Sequence, residues 1–342
     1  MRLLDANFNR AREALRVMED YARFQLNDPQ LSKSAKELRH DLCQCVVLLP
    51  FESLLGARDI VGDVGTQIST AGEKRRQDEL SVVQAAAKRL TEALRCLEEY
   101  SKIENEQIAE RIEKLRYRSY DLEKRILLRA WCGTQFADVW LYVLLTESLC
   151  RLPILEVAEQ VLAGGADCVQ LREKDKTDEE LLELACEISR LCHKADALFI
   201  MNDRPDLAVL ADADGVHLGQ NDLSVVQARK IINPRMIVGK STHSIAEAEA
   251  AIAEQPDYIA VGLIFPSLTK PKVVCSGPQL IREVRQLCPM PLIAIGGITA
   301  ENAHQALAAG ASGVAVCQAA IASDNPETAC REIKQRISSD CG

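Results

Sequence analysis

Gln170-Leu171-Arg172-Glu173-Lys174 closes one apolar run of the chain, and Asn202-Asp203-Arg204 closes the next. Unpaired charge is expensive to bury, so charged residues at the ends of apolar strands point towards the loops where ligands sit. Gln170, Arg172 and Lys174 are spaced two apart and share one side of an extended segment. Two cations and an amide on one side suit a diphosphate. Asp203 is followed, at the end of the next run, by Asp222 in His217-Leu218-Gly219-Gln220-Asn221-Asp222. Two carboxylates beside an anion site have a physical use: they hold a hard Mg2+ whose other ligands are phosphate oxygens and water. The competing readings are surface salt bridges and, for Asp222, a helix cap ahead of Ser224. Later runs end in Lys240-Ser241-Thr242-His243, Phe265-Pro266-Ser267-Leu268-Thr269-Lys270, Gly296-Gly297-Ile298-Thr299 and Cys317-Gln318. Hydroxyls, an ammonium and glycine amides there suit a second phosphate.

The elements that must position these residues follow from the apolar rhythm. Short apolar runs at 141–145, 168–171, 198–201, 215–218, 236–238, 258–262, 292–295 and 314–316 alternate with amphipathic stretches such as 179–192 and 278–287. Strands alternating with helices predict a parallel sheet, and eight of them predict a closed (β/α)8 TIM barrel over residues 139–342, with 132–138 as a linker. The fold class is therefore α/β, a C-terminal barrel preceded by an all-α helical bundle domain over residues 1–131.

That first part repeats itself. Arg10, Glu13-Ala14-Leu15-Arg16, Glu19 and Tyr21 recur as Arg89, Glu92-Ala93-Leu94-Arg95, Glu98 and Tyr100 at a constant offset of 79. Leu38-Arg39 recurs as Leu115-Arg116. A duplicated helical hairpin predicts an antiparallel bundle of about four helices. Asp5-Ala6-Asn7 is read as its first cap, and the repeated Arg and Glu residues as either phosphate-screening groups or structural ion pairs. Arg58-Asp59-Ile60-Val61-Gly62-Asp63-Val64-Gly65-Thr66 interrupts the helices, as an ordinary connection or as an anion loop.

Composition narrows the function class. With 342 residues, 47% hydrophobic and 27% charged, the chain fits a globular protein of two domains. A net charge of −9 disfavours nucleic acid as a partner, and no apolar run is long enough to cross a bilayer. Its 13 cysteines show no zinc spacing and read as core residues. The opening Met1-Arg2-Leu3-Leu4-Asp5 does not resemble a secretion signal, so the expected location is cytoplasmic.

QLREK (170–174), MNDR (201–204), DGVHLGQND (214–222), GKSTH (239–243), FPSLTK (265–270) and IGGI (295–298) occur in an order that closely resembles the thiamine phosphate synthase family. The resemblance spans roughly residues 139–325. It implies a transferase that joins hydroxymethylpyrimidine diphosphate to hydroxyethylthiazole phosphate, releasing diphosphate by a dissociative, Mg2+-assisted route. By matching motif it implies pyrimidine diphosphate ligands at Gln170, Leu171, Arg172, Glu173, Lys174, Asn202, Ser241 and Lys270. Arg172, Lys174 and Lys270 would be catalytic, and Asp203 and Asp222 would hold the metal. The thiazole phosphate would lie against Ser267, Leu268, Thr269, Gly297, Cys317 and Gln318. The sequence departs from the family at Ser267, where threonine is usual, at Gln318, where serine is usual, and in a shortened stretch from Lys270 to Gly296. DANFNRAREALRVMEDYARF (5–24) and RDIVGDVGT (58–66) resemble a helical domain fused ahead of this synthase and linked to phosphorylation of hydroxymethylpyrimidine phosphate. That resemblance implies a bifunctional chain with ATP as a second substrate. The alternatives are a thiazole tautomerase-like barrel, or a synthase whose bundle is a noncatalytic dimerisation domain. The expected partners are small molecules, with a homo-oligomer left open.

Overall fold

The computed structural model describes residues 1–26, 28–49, 51–59, 62–63, 75–266 and 275–339. By its contacts the chain divides into two units, Met1–Ala130 and Trp131–Gly342.

The first unit is helical: α1 (Arg2–Phe24), α2 (Pro29–Val47), the short α3 (Phe51–Gly56), α4 (Glu79–Glu104) and the greater part of α5 (Glu106–Ala137). In α1, Leu4, Ala11, Ala14, Leu15, Met18 and Ala22 are buried, the three- and four-residue spacing of a helix with one apolar face. Their partners include Leu38 and Leu42 of α2, Leu90, Leu94 and Leu97 of α4, and Ile108, Ile112 and Leu115 of α5. Asp28 caps α2, accepting from the Gln30 and Leu31 amides, and Asp78 caps α4 in a reciprocal box with Ser81. Asp5 does not cap α1, which begins at Arg2. Its carboxylate is held instead by both arms of Arg58, at 2.8 and 2.7 Å. Arg58 is thereby an ion-pair residue. Most of the glycine segment that follows it, including Ile60-Val61 and Val64-Gly65-Thr66, lies outside the described residues.

The sequence duplication is repeated in the buried charges. Glu19 of α1 takes Arg39 of α2 at 2.8 Å, and Glu98 of α4 takes Arg116 of α5 at 2.7 Å. Glu98 and Arg116 are 4% and 7% exposed, so each charge relies on the other for solvation. Arg16 and Arg95 add the matched outer bonds to Glu19 and Glu98.

The second unit is a closed barrel of eight parallel strands in sequence order. They are β1 (Leu141–Leu145), β2 (Cys168–Leu171), β3 (Leu198–Asn202), β4 (Gly215–Leu218), β5 (Ile237–Thr242), β6 (Tyr258–Val261), β7 (Leu292–Ile295) and β8 (Gly313–Val316). Alternate residues face in and out. Tyr142, Cys168, Ile200, Ile237, Tyr258 and Ile293 fill the interior, while Val143, Val169, Phe199, Val238, Ile259 and Val314 pack outward with α6 (Ile154–Ala163), α7 (Asp178–Lys194) and the helices that follow. Of the segment 132–138, expected as a linker, all but the last residue is the end of α5; there Phe136 is buried and stacks on the Tyr258 ring at 3.8 Å. No helix among the described residues is long and apolar enough to cross a membrane.

The amino-terminal rim is fastened in a fourfold pattern. Asp167, immediately before β2, accepts from the Trp140 and Leu141 amides at 2.9 and 2.8 Å. Asp214 before β4 accepts from Phe199, Asp257 before β6 from Val238, and Ser312 before β8 from Leu292. Each even strand is thus preceded by a side chain that takes a backbone N–H of the odd strand before it.

Removing one member of the buried pair leaves an uncompensated charge. Arg116→Ala is therefore expected to cost about 3 kcal/mol of stability, whereas Arg118→Ala, from an exposed pair with Asp41, should cost under about 1 kcal/mol. Chemical denaturation followed by circular dichroism checks the difference; equal losses would remove the special weight given to the buried pair.

Candidate active site

The carboxyl ends of the strands surround a cavity of about 620 Å³ lined by Gln170, Arg172, Asn202, Ser241, Gly297, Cys317 and Gln318, with Leu144, Ile293 and Ile295 as apolar floor. Seven residues expected in the site from sequence therefore meet around one space. Arg172 has neither hydrogen bond nor ion pair on its guanidinium among the described residues, although it is only partly exposed. A guanidinium in that state is ready for an anion. Arg204 is different: it is tied to Asp178 and Asp206 at 2.5 and 2.7 Å, a strut rather than a ligand.

Lys174, Asp203 and Asp222 form a second group, at the ends of β2, β3 and β4 and outside the cavity lining. Asp203 sits in the left-handed region at φ 63°, a conformation that aspartate tolerates better than most residues, and its amide donates to the His217 carbonyl at 2.8 Å. Burial pushes its carboxyl up to about 6, helped by the hydrogen bond and charge of the facing Asp222, while Lys174 pulls the other way. Asp222 is not a helix cap. It accepts from the Gly219 amide at 2.6 Å, and Ser224 caps the following short helix, Val225–Ala228. Two facing carboxylates that resist being charged together suit a divalent cation. No cluster of three His, Cys, Asp or Glu suited to a metal occurs among the described residues. A cation there needs substrate oxygens and water to complete its shell.

Two of the expected ligands point elsewhere. Leu171 is fully buried in the layer between strands and helices, because the strand alternation that turns Gln170 inward turns its neighbour out. Glu173 accepts from the Glu147 amide at 2.5 Å and braces the loop after β1. Ser267, Leu268, Thr269 and Lys270 lie outside the described residues. Gly297, at φ 65°, lies so close to the preceding loop that an added Cβ would come within 2.3 Å of the Pro266 carbonyl oxygen. Asn302 fixes its carbonyl at 2.8 Å.

Sequence reasoning passed over the polar interior beneath this rim. Gln170 donates to the Tyr142 hydroxyl at 2.6 Å, and Tyr142 and Tyr258 hydroxyls meet at 2.9 Å. His217 joins Tyr258 through Nδ1 at 2.9 Å and Ser241 through Nε2 at 2.8 Å. The available signal was a histidine at an inward position of β4. Burial, with the Lys240 charge second, lowers His217 to about 4, against a smaller opposing pull from Asp222.

A closed parallel barrel with a polar cavity at the carboxyl ends of its strands is, as a class, a (β/α)8 enzyme. Residues 141–320 match the family described as thiamine monophosphate synthase, and residues 2–125 match the ThiD2 family. A thiamine-phosphate synthase of Thermosynechococcus vestitus is 41% identical over 98% of this chain and 95% of its own length. One of Nostoc sp. is 40% identical over 95% and 90%. A solved thiamine phosphate pyrophosphorylase from Pyrococcus furiosus, 32% identical, covers 61% of this chain and 100% of its own, with a TM-score of 0.56. The chain belongs to the thiamine monophosphate synthase family and is a transferase.

His217 is expected to titrate near pH 4 rather than at its ordinary 6.5. The unfolded chain then binds more protons between those values, so this residue's contribution to stability is lost as pH falls from about 6.5 towards 4. A histidine ring-proton titration by NMR checks it, and a midpoint near 6.5 would contradict the burial argument.

Proposed function

We propose that the barrel condenses an aminopyrimidine methyl diphosphate with hydroxyethylthiazole phosphate to give thiamine phosphate and diphosphate. The observation that carries this reading is the Arg172 guanidinium, without a partner among the described residues, on a cavity whose other polar walls are amides, hydroxyls and the imidazoles of His217 and His243. Arg172 and Lys174 hold the negative charge that grows on the departing diphosphate. Asp203 and Asp222 would hold Mg2+ beside them, where the ion adds positive charge to the diphosphate oxygens. Gln170, Asn202 and Ser241 orient the ring, and Lys270 is assigned to the diphosphate by its motif. The carbon–oxygen bond breaks with its electron pair leaving on the diphosphate, and the thiazole nitrogen donates a pair to the ring methylene. The nucleophile is the second substrate, so the protein's task is placement and charge stabilisation. Gly297 with the Cys317-Gln318 backbone supports the thiazole phosphate, alongside Ser267, Leu268 and Thr269 by motif.

For the helical unit the reading is phosphorylation of hydroxymethylpyrimidine phosphate with ATP and Mg2+, which supplies the barrel's diphosphate. Its support is the ThiD2 match over residues 2–125. Of the five arginines suggested by sequence, Arg16, Arg58 and Arg95 are engaged in ion pairs. Arg10 and Arg89, at matched positions of the repeat, have no ion pair among the described residues and are the stronger phosphate candidates.

The intact chain with both phosphorylated substrates and Mg2+ should release diphosphate. Arg172→Ala should lower kcat/KM by about a hundredfold with an unchanged melting temperature. A fully active Arg172→Ala variant would sink the assignment. Supplying monophosphate, ATP and thiazole phosphate instead should also yield thiamine phosphate without any added kinase. Failure of that coupled reaction, with the direct reaction intact, would reduce the helical unit to a noncatalytic role.

A further inference from the structure

Across the barrel interior runs a single line of polar groups, Gln170–Tyr142–Tyr258–His217–Ser241, drawn from β2, β1, β6, β4 and β5 in turn. Gln170, Tyr142, His217 and Ser241 all border the cavity, and Tyr258, fully buried, lies behind them. Phe136 stacks flat on the Tyr258 ring, and Gly239 leaves the room the ring needs, since a Cβ there would come within 2.1 Å of it.

The Tyr142–Tyr258 bond and both His217 bonds can each run in either direction, and the bond from Gln170 Nε2 supplies a starting sense for the line. A hydroxyl has one proton to donate, and a neutral imidazole has one donor and one acceptor nitrogen. Continued in the sense set by Gln170 Nε2–H, Tyr142 donates to Tyr258 and Tyr258 donates to His217 Nδ1. The imidazole proton is then on Nε2 and is given to Ser241 Oγ. Ser241 is left with its own hydrogen free for the cavity, and Gln170 with its carbonyl oxygen.

We propose that Tyr142, Tyr258 and His217 are positioning residues, a one-way hydrogen-bond relay that presents Ser241 Oγ–H as a donor and the Gln170 carbonyl as an acceptor to one substrate ring. The matching ring carries an acceptor nitrogen on one side and an exocyclic N–H donor on another, the pattern of an aminopyrimidine. This rests on the synthase reading for the identity of the ring, but the polarity of the relay belongs to the free protein.

The test therefore has two readouts on the full chain. Histidine labelled with 15N should show His217 as the neutral Nε2–H tautomer at pH 7; with five histidines in the chain, the His217→Gln variant identifies its signals. Tyr258→Phe removes the donor to Nδ1 and should populate the other tautomer, while KM for the pyrimidine diphosphate rises about tenfold, the loss of one ordinary hydrogen bond. KM for the thiazole phosphate should stay unchanged. Tyr142→Phe, which leaves the Tyr258 donor in place, should keep the Nε2–H tautomer and raise only the pyrimidine KM. An Nδ1–H or protonated His217 in the parent chain, or a Tyr258→Phe variant with unaltered tautomer and KM, would overturn the relay. Loss of coupling activity in the parent would count against the synthase reading alone, because the tautomer would still decide the relay.

Discussion

Polar atoms inside a closed barrel must satisfy one another, and much of this unit's architecture follows from that constraint. An unpaired hydroxyl or amide at the centre of eight strands costs on the order of kcal/mol, more than a single ordinary hydrogen bond returns. Tyr142, Tyr258 and His217 meet the requirement jointly, and Phe136 and Gly239 are shaped around them. The same requirement sorts the rim. Arg172, on the cavity wall, has no partner among the described residues, whereas Arg204, two residues past the end of β3 in the Asn202-Asp203-Arg204 motif, is tied to two aspartates. The cavity is polar where a ligand takes over the partnership and apolar where Leu144, Ile293 and Ile295 need none.

Much of this was legible in the sequence because strand ends are where charge interrupts an apolar run. Gln170, Arg172, Asn202 and Ser241 were found by that rule, and all four line the cavity. Leu171 and Glu173 were drawn in only by belonging to the same motif, and the alternation of the strand turns Leu171 away. Tyr142 and Tyr258 escaped notice because a tyrosine inside an apolar run reads as bulk, and its hydroxyl matters only once a second strand brings it a partner. Asp5 was read as a cap from its local sequence; its partner, Arg58, lies 53 positions away and no local rule could supply it. The strands themselves were clear, since eight short apolar runs separated by amphipathic segments leave few other arrangements.

In the helical unit the repeat in the sequence has a physical counterpart. Glu19 with Arg39 and Glu98 with Arg116 are the same interaction made twice, each joining a long helix to the one that follows it. A buried ion pair stabilises little in net terms but penalises misregistered packing, because either charge alone is costly. Duplicating the hairpin therefore duplicated its register lock. Arg16 and Arg95 belong to that lock, which separates them from Arg10 and Arg89 despite their equal prominence in the repeat.

The four fastenings on the amino-terminal rim, from Asp167, Asp214, Asp257 and Ser312, hold successive strand pairs in register without any contribution from the opposite end. Strand pairing and chemistry are thereby placed under separate control. Substitutions in the carboxyl-end loops are free to explore new substrates at little risk to closure, and the rim that keeps the barrel shut has no stake in which molecule it binds. A scaffold divided in this way is evolvable: it can change occupation without first having to learn again how to fold.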